Sequence, residues 1–158
     1  MNIDVATGGE LYMALHAGID GSRLIMHGNN KSESELRMAL EAGVSRIVVD
    51  SFDELERLQI LHKETGISPK ILLRITPGVE AHTHEYITTG EEDSKFGFTL
   101  STGLAEKAIE IANNSEAIEL MGIHAHIGSQ VFTEESFRKS TETLAELANR
   151  FSLPELCV

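Results

Sequence analysis

The chain has 158 residues, a length typical of one domain, and its 41% hydrophobic and 24% charged residues are ordinary for a globular protein. Its formal net charge of −12 argues against nucleic acid, whose phosphates require surfaces rich in lysine and arginine. Its apolar runs are far shorter than a membrane span. No basic segment followed by an apolar one opens the sequence, so a secretory signal is not predicted. The single Cys157 cannot form an internal disulfide. We therefore expect a cytoplasmic chain without a nucleic-acid or membrane partner.

Short β-branched runs alternate with amphipathic helical segments along the chain. Strands are predicted at 3–5, 24–27, 46–49, 71–75, 120–125 and 155–158, and helices at 9–16, 33–42, 52–63, 104–113 and 134–151. In the second helix, apolar residues recur at three- and four-residue steps from Leu36 to Val44. Ser51 is expected to cap the third helix, and Glu54 three residues later predicts a capping box.

This alternation gives about five βα units and the start of a sixth strand, which implies a parallel sheet with helical crossovers. An open doubly wound sheet and part of a (β/α)8 barrel are the two candidate architectures. Polar residues follow the ends of several strands, namely Asn29, Asn30, Asp50, Arg74, Thr76, His126 and Ser129. Barrels distribute site residues in this way, whereas an open sheet concentrates them at one switch point. The fold class is therefore predicted to be α/β, a partial (β/α)8 TIM-like barrel.

Two polar features interrupt this pattern. Arg74 lies at the end of an apolar strand, where an unpaired guanidinium is costly to bury, so an anionic partner is expected, with Asp4 and Glu10 as candidates. Residues 77–100 are expected to form a long polar loop, which in a compact domain is more often functional than idle. His82 and His84 in this loop are expected to be exposed, without an assigned role.

The stretch ELMGIHAHIGSQ, residues 119–130, carries the strongest functional signal. His124 and His126 are two residues apart and are expected to share one face of a strand. Gly128 allows a sharp turn, and Ser129 offers a hydroxyl and a backbone N–H where the next helix should begin. The pattern suits either a planar cofactor carrying a phosphate or a metal ion. A metal site needs further ligands, and no other strand supplies a similar pair, so the metal hypothesis is the weaker one.

The motifs together resemble the barrel domain of the diaminopimelate decarboxylases, which are fold-type III pyridoxal-phosphate enzymes. The stretches that carry the resemblance are DVATGGEL (4–11), MHGNNKS (26–32), IVVDSFDELERL (47–58), LLRITPGVEAHTHEYITTGEEDSKFGF (72–98) and GIHAHIGSQ (122–130). They occur in order and cover essentially the whole chain. The first and last are similar to motifs in relatives that act on ornithine or arginine, whereas the second and fourth resemble the diaminopimelate branch.

The resemblance implies pyridoxal 5'-phosphate as cofactor and a small amino acid as substrate, with decarboxylation of meso-2,6-diaminopimelate to L-lysine as the activity. It implies that His126 stacks on the cofactor ring and that Ser129 contacts the phosphate. It places Arg74, Asp4 and Glu10 in a polar network beside the cofactor. Lys95 resembles a lysine near the subunit interface of relatives, and the full-length parent is expected to be a homodimer.

The resemblance also implies that parts of the enzyme lie outside these residues. The lysine that forms the Schiff base is expected upstream of Met1, and none of Lys31, Lys63, Lys70, Lys95, Lys107 or Lys139 stands at its position. The glycine-rich phosphate loop and the C-terminal β-domain are expected after Val158. Residues 1–158 are therefore expected to be an incomplete pyridoxal-phosphate-binding barrel domain, inactive alone and without a catalytic residue of its own. The alternatives are a non-catalytic pyridoxal-phosphate-binding barrel and a metal-dependent barrel hydrolase that uses His124 and His126.

Overall fold

The protein is described by a computed structural model covering residues 2–78, 96–128 and 134–158. The strands are β1 (Ile3–Val5), β2 (Leu24–Met26), β3 (Arg46–Val49), β4 (Lys70–Thr76), β5 (Phe98–Thr99), β6 (Glu119–His124) and β7 (Glu155–Cys157). The helices are α1 (Gly8–His16), α2 (Glu33–Glu41), α3 (Phe52–Thr65), α4 (Leu104–Asn113) and α5 (Glu134–Arg150), with a 3-10 turn at Gly21–Arg23. The five βα units and the sixth strand predicted from the sequence are confirmed, with ends that differ by at most two residues.

The described strands form one parallel sheet in the order β1-β2-β3-β4-β6-β7, with β5 paired to the end of β4. The prediction that residues 77–100 form a loop is wrong at its end. Phe98 and Thr99 form β5, which pairs with the end of β4. Phe98 is buried and packs edge to face on Phe52, with ring centroids 4.9 Å apart. Burial of this ring against the first turn of α3 explains why the segment returns to the sheet.

The two faces of the sheet differ in chemistry. The face toward the helices carries apolar residues buried in a single core, namely Met26, Ile47, Val49, Ile71, Leu73, Ile75 and Ile123. The opposite face carries the residues between them, and polar residues lie there at both ends of β4, namely Lys70 and Arg74. Asp4, Ile25 and Arg46 are neighbours in register on this second face, as are Arg74, His124 and Cys157. The helices therefore cover one side only, as in the outer layer of a barrel.

The sheet is curled, and contacts across its inner face show the curvature. His27 follows β2 and His124 ends β6, and these strands lie three places apart in the sheet, or roughly 14 Å if the sheet were flat. Their imidazole rings nevertheless touch, with centroids 4.8 Å apart. Arg46 on β3 likewise donates from Nε to Oε2 of Glu155 on β7 at 2.9 Å. The geometry is that of a partial barrel, as predicted, and not of an open doubly wound sheet.

Several described helices begin at side-chain caps, and the start of α3 matters for the site. Ser32 and Glu35 form a full capping box at the start of α2. Ser51 caps α3 as predicted, because its side chain accepts from the Glu54 N–H at 3.3 Å. The predicted reciprocal bond from Glu54 is wrong, since its carboxylate turns to the buried Lys31.

Within the described residues, no helix is both long and apolar enough to cross a membrane.

Candidate cofactor site

The ends of neighbouring strands bring a set of polar residues together, which we call the rim cluster. It consists of Asp4, His27, Asp50, Arg74 and His124. Asp50 directly follows β3, where Val49 pairs with Leu73, so the next residue along each strand places Asp50 beside Arg74. Arg74 is in turn the register partner of His124. Strand order and register, rather than sequence proximity, therefore assemble the cluster.

The two histidines of the rim cluster form its centre. The rings of His27 and His124 meet edge to face, and Nε2 of His27 lies 3.5 Å from Oδ1 of Asp4. Burial, and to a lesser extent the nearby charges of His27, Arg74 and His126, together lower the pKa of His124 to about 3. Burial likewise lowers the pKa of His27, although the Asp4 carboxylate opposes this. Both rings are therefore neutral hydrogen-bonding and packing groups at pH 7.

His124 and His126 have different environments, although they were predicted to share a face. β6 ends at His124, which is 8% exposed, whereas His126 lies beyond the strand and is exposed. Nδ1 of His124 is buried without a hydrogen-bond partner among the described residues. A cavity of about 250 Å³ opens beside His126, between the end of β6 and α5. His126 is therefore the member of the pair that is accessible to a ligand.

The backbone after His126 turns at glycine. Gly128 has φ +125°, a conformation that side-chain-bearing residues rarely adopt, and it lines the cavity beside His126. Ser129, the predicted phosphate contact, lies outside the described residues, as do His82, His84 and Lys95. Their predicted roles stay predictions.

Arg74 is paired, but with a different acid from those expected. Its Nη1 donates to Oδ1 of Asp50 at 3.0 Å, and the other oxygen of Asp50 accepts from the Gly97 N–H at 3.2 Å. The Asp50 side chain is 4% exposed, so this is a buried carboxylate with both oxygens engaged. The expectation that Asp4 or Glu10 would be the partner is thus corrected. Parallel pairing of β3 with β4 places Asp50 closer.

Asp4 and Glu10 lie elsewhere in the structure. The Asp4 side chain is 69% exposed and contacts His27 on the inner face of the sheet. Oε2 of Glu10 accepts from the Ala6 N–H at 2.6 Å, so this carboxylate fastens the turn between β1 and α1. Asp4 therefore remains positioned to meet a ligand at the rim, whereas Glu10 shapes the loop beside it.

Sequence reasoning missed a buried ion pair behind the rim cluster. The Lys31 side chain is 1% exposed, and its Nζ lies 2.8 Å from Oε1 of Glu54, whose side chain is 2% exposed. The same ammonium donates to the backbone carbonyls of Gly28 and Val48, at 2.5 and 2.7 Å. Burial raises the pKa of Glu54, and the Lys31 charge and hydrogen bond oppose that rise. A lysine in an Asn-Asn-Lys-Ser turn gives no sequence signal of burial.

The chemistry of the rim suits a planar, anionic cofactor better than a metal ion. An exposed imidazole, an adjoining glycine turn, a cationic Arg74 and an accessible carboxylate at Asp4 match a polar aromatic ring that carries a phosphate. In the part of the chain that the structure describes, no group of three or more His, Cys, Asp or Glu side chains is arranged to hold a metal ion. His124 and His126 alone would be too few ligands.

Comparison with known proteins identifies the family of the chain. The profile of the family "Pyridoxal-dependent decarboxylase, pyridoxal binding domain" matches residues 1–154. The chain is 57% identical over 144 residues to a diaminopimelate decarboxylase of Bacillus subtilis, covering 91% of this chain and 33% of the relative. It is 52% identical over 156 residues to the enzyme of Bacillus methanolicus, covering 96% of this chain and 36% of the relative. The chain thus spans about a third of the curated relatives it matches.

Solved structures give the same result. Diaminopimelate decarboxylase from Helicobacter pylori in complex with L-lysine superposes with a TM-score of 0.87 at 32% identity, over 96% of this chain and 38% of that one. The enzyme from M. jannaschii, also in complex with L-lysine, gives a TM-score of 0.85 at 34% identity, over 94% of this chain and 34% of that one. The chain belongs to the pyridoxal-binding domain family of the pyridoxal-dependent decarboxylases, whose cofactor is pyridoxal phosphate.

Proposed function

We propose that residues 1–158 form part of the cofactor-binding barrel of a diaminopimelate decarboxylase, a carboxy-lyase that converts meso-2,6-diaminopimelate to L-lysine and CO2. The observation that carries the proposal is the accessible His126 at the carboxyl ends of the strands, in a chain 57% identical to a diaminopimelate decarboxylase. The lysine bound in two structural neighbours is the product of that reaction, which supports the same substrate class.

Each predicted site residue has a distinct part in this proposal. Pyridoxal phosphate supplies the electron sink for decarboxylation. The His126 ring would stack on the cofactor and exclude water from one of its faces. Ser129 would donate to the phosphate. Asp4 and Arg74 would place charged groups beside the cofactor, and Glu10 holds the turn between β1, which carries Asp4, and α1.

The buried ion pair makes Lys31 unsuitable as the lysine that bonds the cofactor. Its ammonium is fully engaged by a carboxylate and two carbonyls, and it would have to give up all three to react. The resemblance puts none of the other lysines at the Schiff-base position either, so we propose that the reactive lysine lies outside residues 1–158. Among the described strands, β1 and β7 each have one neighbour, so the barrel needs further strands to close.

Three further properties belong to the proposal. The active species is a homodimer of a longer polypeptide, it works in the cytoplasm, and it serves lysine biosynthesis. The isolated 158-residue chain is expected to be inactive, because the reactive lysine is proposed to lie outside it. It is also expected to be weakly stable, because the edges of its described sheet and the inner face that no helix covers favour association. Size-exclusion chromatography with thermal unfolding checks this, and a soluble monomer with a sharp transition would contradict it.

The proposed activity is tested by a substrate panel. The full-length polypeptide that carries these residues is loaded with pyridoxal phosphate and given meso-2,6-diaminopimelate, L-lysine, L-ornithine or L-arginine, and CO2 release is followed. Turnover of diaminopimelate with L-lysine as product is expected. Turnover of another amino acid instead would overturn the substrate assignment. Cofactor binding without any turnover would favour a non-catalytic pyridoxal-phosphate protein.

A further inference from the structure

A fully buried charge, the Lys31 ammonium, lies directly behind the rim cluster. Lys31 Nζ has three oxygen partners, from Gly28, Val48 and Glu54, all within hydrogen-bond distance. These partners belong to three separate segments, which are the loop after β2, the end of β3 and the first turn of α3. The Lys31 ammonium thus links three elements that the hydrogen bonds between strands do not link at these positions.

The first contact of Lys31 leads to the paired histidines. Gly28 directly follows His27 and has φ +103°, and a Cβ added there would lie 2.7 Å from the Ala6 carbonyl oxygen. The loop therefore has little freedom on the β1 side, and the Lys31 ammonium fixes it on the other. Gly28 is the next residue after His27. The bond from Lys31 to Gly28 therefore also fixes the position of the His27 ring against His124.

The second contact leads to Arg74. Glu54 receives the Lys31 ammonium on Oε1 and accepts from the Asp50 N–H on Oε2 at 3.3 Å. Asp50 then holds Arg74 through Oδ1 and the Gly97 N–H through Oδ2. A continuous series of contacts thus runs from Lys31 through its ion pair with Glu54, and then through hydrogen bonds to Asp50 and to the Arg74 guanidinium at the rim. Both branches begin at the same buried ammonium.

We propose that Lys31 is a positioning residue for the cofactor site, which acts through Gly28 on His27 and through Glu54 and Asp50 on Arg74. This inference rests on the proposed function, because the residues it positions are those assigned to the cofactor. A buried ion pair is weak evidence of stabilisation by itself, since apolar replacements of similar volume are often as stable. The role of this pair is to fix the positions of His27 and Arg74 at the rim, rather than to raise the free energy of unfolding.

The test separates positioning from stability with three variants of the full-length polypeptide. Lys31→Met leaves Glu54 as an uncompensated buried charge and so also destabilises the fold. Lys31→Met combined with Glu54→Gln removes both charges, while the Gln oxygen can still accept from the Asp50 N–H. Lys70→Met is the matched control, because Lys70 is half exposed at the start of β4, at the opposite end of the sheet, and lies 3.8 Å from Glu119.

Three readouts are compared for each variant. They are the thermal midpoint, the visible circular dichroism of bound pyridoxal phosphate, and kcat and KM for diaminopimelate. The double variant is expected to regain much of the midpoint that Lys31→Met loses, yet to keep an altered dichroism and a kcat lower by roughly 10- to 100-fold, as a misplaced site predicts. Lys70→Met is expected to match the wild type in dichroism and kcat.

Recovery of dichroism and kcat in step with the thermal midpoint would overturn the proposal and leave Lys31 a purely structural residue. Wild-type dichroism in Lys31→Met itself would overturn it as well. The two hypotheses fail separately. A wild-type protein that does not decarboxylate diaminopimelate sinks the proposed function, whereas the comparison of cofactor dichroism between variants still decides the role of Lys31.

Discussion

The rings of His27 and His124 touch across the inner face of the sheet, with centroids 4.8 Å apart, although β3 and β4 lie between the strands that carry them. This contact requires the sheet to curl. It also brings the ends of β2 and β6 to one place, beside the accessible His126. The polar surface of the rim is therefore a consequence of barrel curvature.

Substitution of the two neighbouring histidines should separate activity from stability. In the full-length polypeptide, His126→Ala is expected to lower kcat by on the order of 100-fold, because His126 is accessible and the lost stacking misplaces the cofactor. His124→Ala is expected to lower the thermal midpoint more and kcat less, since His124 is buried against His27. Steady-state kinetics and calorimetry on both variants check this. Equal, small effects on kcat would remove His126 from the site.

Loss of the Asp50 carboxylate should be costly. Asp50→Ala leaves Arg74 without its buried partner and the Gly97 N–H without an acceptor, so the free energy of unfolding is expected to fall by about 3 kcal/mol. Glu142→Gln, which breaks the exposed pair with Arg138, is the control and should change it by under about 0.5 kcal/mol. Urea unfolding measures both. A small effect of Asp50→Ala would mean that Arg74 finds another anion.

Acid should destabilise the fold through His124. An unfolded-state histidine binds a proton near its ordinary pKa of 6.5, whereas the folded-state pKa of His124 is about 3. Between these values the unfolded state binds more protons, so the free energy of unfolding falls as the pH falls from 6.5 toward 3. His124→Gln should reduce that slope by up to one proton. NMR should show no titration of the His124 ring between pH 5 and 8, and a midpoint near 6.5 would contradict the buried, neutral assignment.

Gly28 should not tolerate a side chain. Gly28→Ala combines an unfavourable φ of +103° with a Cβ only 2.7 Å from the Ala6 carbonyl oxygen. Gly18→Ala is a matched control, because Gly18 also has a positive φ, of +83°, but nothing lies within 4 Å of an added Cβ. We expect Gly28→Ala to lower the free energy of unfolding by roughly 1–3 kcal/mol more than the control does. Equal losses would show that the backbone conformation alone matters.

The order of the elements was predictable because each depends on a local pattern. Helix α2 follows from its apolar spacing, and the start of α3 from Ser51, whose side chain caps it. The partners of the buried charges were not predictable in the same way. Arg74 contacts Asp50, 24 residues away, because β3 and β4 pair in one particular register. The pairing register of two strands cannot be read from the residues of either strand alone.

Lys31 and Glu54 illustrate the same limit. Ser51 and Glu54 have the spacing of a capping box, so the local rule assigned the carboxylate to the helix end. The buried ammonium of Lys31, 23 residues earlier, is a stronger partner for a carboxylate that has lost its water. The competition between a local and a tertiary partner is settled by burial, which follows from the fold and not from the spacing of the residues.

The central claim is that the rim cluster and His126 form the pyridoxal-phosphate site, and a crystal structure of the full-length polypeptide with the cofactor tests it most directly. We expect the cofactor ring to stack on His126, with ring centroids roughly 4.5 Å apart. We also expect the phosphate next to Gly128, and Asp4 and Arg74 beside the ring. A cofactor bound away from the carboxyl ends of β1, β4 and β6, or an imidazole of His126 that does not touch it, would contradict the account.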